Sequence, residues 1–354
     1  MKTRITSVSG ALVCLTSSAA FGGFCEPTLI DEIETTAFSA QVLDIEGDLL
    51  LATDGGNLLI YTLAAPGSPE APLLLDEFDL PGATEASWVE ADGDLALAGD
   101  LNDTHLIDLS DPGVPVAYPL GPVDARTSAV QGDVAMARFA ASTLLYDVSD
   151  LSNPTFESIA GTPSGVALNN GIGYILRNTT LASYDVSDPL NPTLLDELEG
   201  LPATNLTDLI IEGDRLYMIS TNAGIRVADI SDPSNLQLLG VAPAYMASTL
   251  EVVGSIVYFA TTSDEFRALD FTEPGPDVPT VALTQLAGAG YGARYRDGYV
   301  YVPHNNVGAG NGFSIFDVTT CPTAPIITNQ PQSAVAEVDG PAVQFEVDGL
   351  LIES

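Results

Sequence analysis

The stretch Tyr184-Asp185-Val186-Ser187-Asp188-Pro189-Leu190-Asn191-Pro192 contains a phrase that returns along the whole chain: an apolar residue, Asp, an apolar residue, then Ser or Thr. Further copies lie at residues 107–112, 146–150, 228–233, 269–272 and 316–319, and a decayed copy at 61–63 has Thr62 at the Asp position. Successive copies are 46, 39, 38, 44, 41 and 47 residues apart. A phrase that recurs about every 40 residues indicates a repeat architecture.

A second marker gives the same number of repeats. A glycine, usually beside an acidic residue, separates two apolar runs at Gly47, Gly93, Gly132, Gly171, Gly213, Gly254 and Gly298. Glycine between apolar runs is typical of a hairpin turn, because it adopts positive φ at little cost. Both markers therefore predict seven units.

Each unit has room for four short strands and shows no helical periodicity. In the fourth unit we predict strands over 165–168, 173–176, 181–186 and 193–198, with Asp, Asn and Pro forming the turn before the last strand. Four strands in 40–45 residues, repeated seven times, predict an all-β fold: a seven-bladed β-propeller of four-stranded antiparallel blades, over residues 25–321.

The two ends of this region complement each other. Residues 26–34 align with 191–199 and so represent a fourth strand without a first, second or third, whereas the last unit lacks its fourth. We therefore expect the N-terminal strand to close the ring as the outer strand of the last blade, which would cover two sheet edges at once.

Leu-rich strands that run into Asp-Val-Ser-Asp-Pro-Leu-Asn-Pro at 185–192 resemble LVIVD repeats, a family of predicted β-propeller repeats of bacterial and archaeal surface proteins. The resemblance covers roughly residues 26 to 320. It implies the propeller fold and implies no common activity, so no catalytic residue follows from it.

Cys25 and Cys321 occupy neighbouring positions in the repeat alignment, at Leu190 and Pro189 of the fourth unit. An exported protein meets an oxidising compartment, in which disulfides persist. We therefore predict a Cys25–Cys321 disulfide; the alternative is two unpaired cysteines of unrelated purpose.

The termini differ from the repeats. Lys2 and Arg4 precede a stretch of apolar and small residues that ends near Ala20, which predicts a signal peptide over 1–22 and a secreted, extracellular or periplasmic protein. No later apolar stretch is long enough for a membrane span. Residues 322–354 resemble the opening strands of a bacterial Ig-like domain; they are either a truncated domain or a strand pair that forms a tail.

The charge balance restricts the partners. The chain has 10 Lys+Arg against 48 Asp+Glu and a formal net charge of −38. Such a surface repels nucleic acid and anionic membrane. We expect a monomer whose partner is a protein or surface ligand that the sequence does not identify, and we predict no cofactor.

Two kinds of propeller loop gather on one face, which we take as the candidate binding face. One joins the fourth strand of a blade to the first strand of the next, and the other joins the second and third strands of a blade. The residues expected there include Asp100, Asn102, Asp103, Arg126, Arg177, Tyr245, His304 and Asn305. Asp100, Asn102 and Asp103 are hard oxygen ligands in one loop and are weak candidates for Ca²⁺, which prefers six to eight such ligands. Trp88 lies on an inner strand, where packing is expected.

Two functions remain open. The first is a non-catalytic extracellular binding or scaffold module. The second is a metal-dependent propeller hydrolase or lyase of lactonase type, which needs a histidine and carboxylates that converge at the channel mouth. The two histidines, His105 and His304, fall in different units and form no metal-ligand or triad pattern. The sequence therefore favours the first function, without catalysis.

Overall fold

A computed structural model describes residues 25–35, 43–64, 72–83, 86, 88–100, 103–177, 179–201, 206–220, 224–243, 247, 249–286, 288–306 and 310–321. The predicted signal peptide and the predicted Ig-like segment lie outside the described residues. The predicted repeats lie largely within them.

The described residues form 29 strands. In chain order they are β1 (Thr28–Thr35), β2 (Leu43–Glu46), β3 (Leu49–Asp54), β4 (Asn57–Thr62), β5 (Leu73–Asp79), β6 (Trp88–Asp92), β7 (Leu95–Gly99), β8 (Thr104–Asp108), β9 (Val116–Gly121), β10 (Asp124–Gln131), β11 (Val134–Phe139), β12 (Ser142–Asp147), β13 (Thr155–Ala160), β14 (Gly165–Asn169), β15 (Ile172–Arg177), β16 (Thr180–Asp185), β17 (Thr193–Leu198), β18 (Leu206–Glu212), β19 (Arg215–Ser220), β20 (Gly224–Asp229), β21 (Gln237–Val241), β22 (Glu251–Val253), β23 (Ile256–Thr261), β24 (Glu265–Asp270), β25 (Thr280–Gln285), β26 (Ala289–Gly290), β27 (Arg294–Arg296), β28 (Tyr299–Asn306) and β29 (Gly310–Asp317).

These strands make seven antiparallel sheets, which confirms the predicted seven-bladed propeller. Strands β2–β5 form blade 1, and each following set of four forms the next blade, through β22–β25 in blade 6. Blade 7 contains β26 and β27, which together represent its inner strand, followed by β28, β29 and finally β1. We name the strands of a blade A to D from the channel outward.

The predicted ring closure is also confirmed. β1 pairs with β29 from Thr28 opposite Asp317 onward. Blade 4 places Thr193 opposite Asp185 in the same way, and a register shift after the second paired residue of strand D occurs in both blades. The N-terminal strand is therefore the outer strand of blade 7.

The apolar residues form seven buried clusters, one between each pair of neighbouring blades. The cluster between blades 7 and 1, for example, joins Tyr301 and Phe313 to Leu50 and Tyr61. Strands B and C alternate apolar residues between their two faces, and both faces are covered by a neighbouring blade. This explains why these strands are almost continuously apolar in sequence.

The recurring Asp of the repeat phrase forms the turn between strands C and D. Each such Asp accepts a hydrogen bond at 2.8–3.0 Å from the amide of the Ser or Thr two residues later, at Asp108, Asp147, Asp185, Asp229, Asp270 and Asp317. The Ser187 hydroxyl donates to Asp185 as well, and this bond, followed by the backbone one, lowers the pKa of Asp185. The interpretation of this Asp as a turn former is confirmed by these contacts.

The residue between Asp and Ser/Thr turns inward and joins the two turns at this end of the blade. Its amide donates to the carbonyl of the second residue in the A–B turn, as Val186 does to Gly171 at 2.8 Å. All seven blades have this bond, at 2.7–2.9 Å, from Leu63, Leu109, Val148, Val186, Ile230, Phe271 and Val318. We call it the turn-joining bond. The repeat phrase and the turn that contains the marker glycine are thus joined by this hydrogen bond.

The A–B turns explain the glycine marker. Five of them begin with a glycine at φ between 54° and 61°. In blade 4 the pair Asn170-Gly171 has positive φ at both positions, 50° and 78°, as a type I′ turn requires. The marker glycine is therefore the second turn residue here and the first in most other blades.

Cys25 and Cys321 form a disulfide, with Cα atoms 5.1 Å apart and 296 residues between them in sequence. The disulfide takes the place of the chain continuity that the other C–D turns have. Cys25 also donates its amide to Val281 O at 3.0 Å and accepts from the Leu283 amide at 3.2 Å, on the outer strand of blade 6. The predicted bridge is present in the structure.

We expect Cys25→Ser or Cys321→Ser to loosen blade 7 before any other blade, because β1 would then be attached to β29 by ladder bonds alone. The closed loop is worth nominally about 4–5 kcal/mol in the chain-entropy model. Hydrogen exchange should show early loss of protection in β1 and β29.

Peptide mapping supplies the direct check of this bond. Without reductant, the tryptic fragments that contain Cys25 and Cys321 should elute together, and reduction should separate them. Uniform loss of protection across all blades in the Ser variants would contradict the assignment of this bond as a local closure.

Candidate functional site

A narrow channel runs along the propeller axis and contains a cavity of about 330 Å³. Strand A of every blade contributes to its wall, so the cavity is central. Carboxylates dominate its polar lining: Asp44, Glu90, Asp92, Glu212 and Glu251, with the guanidinium of Arg294 among them.

A first layer of these side chains connects neighbouring blades at the A–B turns. The last residue of strand A accepts a hydrogen bond from the first turn amide of the next blade. Asp92 accepts from Gly132 at 2.9 Å and Glu212 from Gly254 at 2.7 Å. Between blades 3 and 4, the amide oxygen of Gln131 accepts from Asn170 at 2.6 Å. A neutral amide therefore replaces a carboxylate at this position.

A second layer lies one pleat deeper. Asp44 of blade 1 accepts from the Ala91 amide of blade 2 at 2.7 Å. Glu251 of blade 6 accepts from the Tyr295 amide of blade 7 in the corresponding way. These amides belong to the inner edge of strand A, which has no further strand to pair with. The carboxylates thus satisfy backbone donors that would otherwise face the channel.

Arginines complete the ring between blades 7 and 1. Arg294 donates from Nε to Asp44 at 2.9 Å and from Nη1 to the carbonyl oxygens of Leu250 and Ala293 at 3.1 and 3.0 Å. Arg296 donates to Asp48 in the first turn of blade 1. The interface between blades 7 and 1 is therefore closed by ion pairs.

Glu251 has the most perturbed pKa of the channel. Burial is the main cause and raises the pKa to about 8, Asp44 and Glu212 act in the same direction, and Arg294 opposes them. About 21% of the side chain still faces the channel, and the Arg294 Nε atom is 3.9 Å from Glu251 Oε2. The carboxyl group is therefore mostly protonated at pH 7.

The predicted candidates are not gathered at one point. Asp100 and Asp103 bind each other, since Asp100 Oδ1 accepts from the Asp103 amide at 2.9 Å and the Asp100 amide donates to Asp103 O at 3.0 Å. Asn102 and Tyr245 lie outside the described residues, and of Arg126 only the backbone, in β10, is described. The suggestion of Ca²⁺ at this loop stays a prediction.

Arg177 extends toward the rim of its own blade. Its Nη2 donates to the Tyr184 hydroxyl at 2.9 Å, and Nη1 lies 3.8 Å from Glu197 on the outer strand. The guanidinium carbon also lies over the Tyr184 ring, 5.6 Å from its centroid. These contacts turn Arg177 away from the channel.

His304 and Asn305 were expected in a loop of the binding face, but both lie in strand β28, which extends through Asn306 and pairs with β29. His304 is 6% exposed, and burial lowers its pKa. His105 is 3% exposed in β8, and burial lowers its pKa too. Both imidazoles are thus buried, in separate blades.

Sequence reasoning missed the channel carboxylates as a set. The sequence shows an acidic residue beside most of the turn glycines, and this marker was interpreted only as a hairpin turn. The signal that identifies the set is the period: Glu46, Asp92, Gln131 and Glu212 each stand immediately before an A–B turn. The expectation that Trp88 packs on an inner strand is confirmed, since it is 8% exposed within the cluster between blades 1 and 2.

Among the described residues, no group of three or more His, Cys, Asp or Glu side chains is arranged to hold a metal ion. In the same part of the chain, no helix is long and apolar enough to cross a membrane.

No protein-family model matches the sequence, and no curated protein is similar enough to match it. Solved structures are similar in fold. The β-propeller domain of Cps50 (Swd1) from Myceliophteria thermophila superimposes with a TM-score of 0.66 at 12% identity, over 83% of this chain and 100% of that one. The computationally designed Ika8 protein gives 0.53 at 10% identity, over 80% and 98%. At such identities the likeness shows the β-propeller fold alone.

Glu212→Leu should destabilise the protein by about 1–2 kcal/mol, because the Gly254 amide loses its acceptor. The stability of the Glu212→Gln variant should stay close to that of the unsubstituted protein, since Gln131 makes the same contact between blades 3 and 4. Urea denaturation measures both. Equal losses of stability in the two variants would show that the charge of Glu212, and not its hydrogen bond, stabilises this interface.

Glu251 should make stability depend on pH. Its pKa is raised in the folded protein, from 4.5 to about 8, so between these values the folded state retains a proton that the unfolded state has lost. Stability must then fall as pH rises through this window, by at most about 1.4 kcal/mol per pH unit. Melting from pH 5 to 8 should show this decline, and Glu251→Gln should reduce it. An unchanged slope in Glu251→Gln would contradict the assignment.

Proposed function

We propose that this chain is a non-catalytic extracellular binding or scaffold module that contacts its partner with the loop face of the propeller. The observation that carries this proposal is the use of the channel carboxylates. Asp44, Asp92 and Glu212 accept hydrogen bonds from backbone amides of the next blade. A carboxylate used in this way is poorly placed to act as a general base or as a metal ligand. Recognition then falls to the outer surface.

The arrangement of the arginines supports an anionic recognition surface. Arg267 binds Glu265 of its own strand through Nε and Nη2, at 3.0 and 2.8 Å. Arg215 donates to Phe271 O at 2.7 Å, and Arg226 is 1% exposed. Together with Arg177, Arg294 and Arg296, these residues place their positive charge against intramolecular partners. We therefore expect a partner that presents basic side chains, attracted over long range.

The same geometry disfavours the second candidate, a metal-dependent hydrolase or lyase of lactonase type. That chemistry needs a histidine and carboxylates at the channel mouth, with access to substrate. His105 and His304 are both buried, in blades 2 and 7, and burial lowers the pKa of each. The Cys25–Cys321 bond supports an oxidising location, so we further propose export by the N-terminal segment.

Panning of a phage-displayed peptide library against the biotinylated protein tests the proposal. We expect basic peptides to be enriched and to bind with one-to-one stoichiometry. Asp103 and Asp264 lie in the B–C turns of blades 2 and 6, on the loop face. The double variant Asp103→Asn with Asp264→Asn should weaken the binding of these peptides severalfold. The matched control is Asp76→Asn with Asp79→Asn on the outer strand of blade 1, which should leave binding unchanged although the net charge changes equally.

Turnover assays address the alternative directly. Lactone, ester and glycoside panels, with and without added divalent metals, should give no product above the blank. Metal-dependent turnover that disappears in His304→Ala would overturn the proposal and establish the hydrolase.

A further inference from the structure

The outer strand of each blade forms a sheet edge, and the seven edges differ in how they are protected. Unpaired edges accept further strands, and charged residues or proline discourage this. Four edges carry carboxylates and a fifth contains a proline: Asp31 and Glu32 in β1, Asp76 and Glu77 in β5, Glu157 in β13, Asp196 and Glu197 in β17, and Pro119 in β9. These five edges resist strand addition by their own sequence.

The other two edges, β21 (Gln237–Val241) and β25 (Thr280–Gln285), contain neither a charged residue nor a proline. The edge of β25 is occupied. Cys25 lies parallel to it opposite Ala282, donates to Val281 O and accepts from the Leu283 amide. No comparable bridge to β21 occurs among the described residues, where β20 is its one paired strand.

The two edges are built alike, so β25 shows how β21 would accept a strand. Both contain a register shift at the same position, which leaves Val281 in β25 and Leu239 in β21 without a paired residue. The atoms that correspond to Val281 O and the Leu283 amide are therefore Leu239 O and the Val241 amide. Because Ala242 donates to Ile225 O at 2.8 Å, the Val241 N–H and C=O point away from β20.

The protein's own chain does not supply the missing partner. The C–D loop of blade 6 packs over one face of β21, because Pro274 O lies in the space that a Cβ on Gly240 would take. The residue opposite the repeat Asp is Thr28 in blade 7 and Pro279 in blade 6. Counted back three residues from each, Pro276 stands where Cys25 stands. Proline has no amide hydrogen, so Pro276 cannot donate to Leu239 O as Cys25 donates to Val281 O.

The surroundings indicate the chemistry of the partner. Leu238, Leu239 and Val241 are 42%, 42% and 36% exposed, so the edge offers apolar contacts. Pro274 also lines a groove of about 460 Å³ whose charged residues are Asp270, Glu273 and Asp277. A strand with apolar side chains and a basic residue complements both features. A second copy of this chain, with a net charge of −38, does not.

We propose that the edge of β21 binds an extended peptide segment of a basic partner by parallel strand addition, through Leu239 O and the Val241 amide. A lysine or arginine of that segment lies in the acidic groove of blade 6. This inference rests on the proposed function as a binding module, but it places the contact on the rim of blade 5 and not on the loop face.

The test uses a fluorescein-labelled peptide, acetyl-Lys-Val-Thr-Val-Thr-Val-Lys-amide, and fluorescence anisotropy with the full chain. We expect saturable one-to-one binding. Val241→Pro removes the outward amide without removing a ladder bond, and it should weaken binding about tenfold. Val241→Thr retains the amide, so its affinity for the peptide should stay within about twofold of that of the unsubstituted protein. Thermal melting checks that both variants are folded.

A peptide with Glu in place of both Lys residues should not bind, and neither should one N-methylated on alternate amides. Equal binding of either peptide, or equal affinity in Val241→Pro and Val241→Thr, would overturn the proposal. So would sedimentation showing a dimer that Val241→Pro dissociates, because the occupant would then be a second copy. If library peptides bind the loop face but the labelled peptide does not bind, strand addition at β21 is refuted and the proposed function is retained.

Discussion

The turn-joining bond is the interaction on which each blade depends. The residue after the repeat Asp donates its amide to the A–B turn, and its side chain, such as Val186 or Phe271, is buried between blades. Asp and Ser/Thr on either side form the turn that directs this residue inward. One short phrase thus fixes the inner hairpin, the outer strand and the interface with the next blade.

A ring of sheets creates two sets of unpaired edges, and the acidic composition serves both. The inner edges face the channel, where Asp44 and Glu251 accept hydrogen bonds from backbone amides of the next blade. Outer edges face solvent, where carboxylates such as Glu77 and Glu197 discourage strand addition. Much of the negative charge therefore has a structural function, and the remainder sets the electrostatic character of the surface offered to a partner.

The fold could be predicted because its determinants are local and repeated. The turns need Asp, Ser or Thr and Gly at fixed places, and the register of the repeats alone places Cys25 beside Cys321. The candidate site was less predictable. Arg177 and His304 were expected in loops of the binding face, whereas they lie in β15 and β28, and whether their side chains face the channel, the rim or the next blade depends on blade packing.

The sequence by itself determined the number of blades, the order of the strands and the closing strand, since each follows from spacing and from the chemistry of turns. Only the tertiary structure decided which polar groups form hydrogen bonds within the protein and which can bind a partner. Asp92 and Gly132 are 40 residues apart, and the hydrogen bond between them exists because two blades lie side by side. Likewise β21 and β25 look equally unprotected in sequence. Among the described residues, the ring brings Cys25 to β25 and not to β21, because β25 borders blade 7, which contains β1.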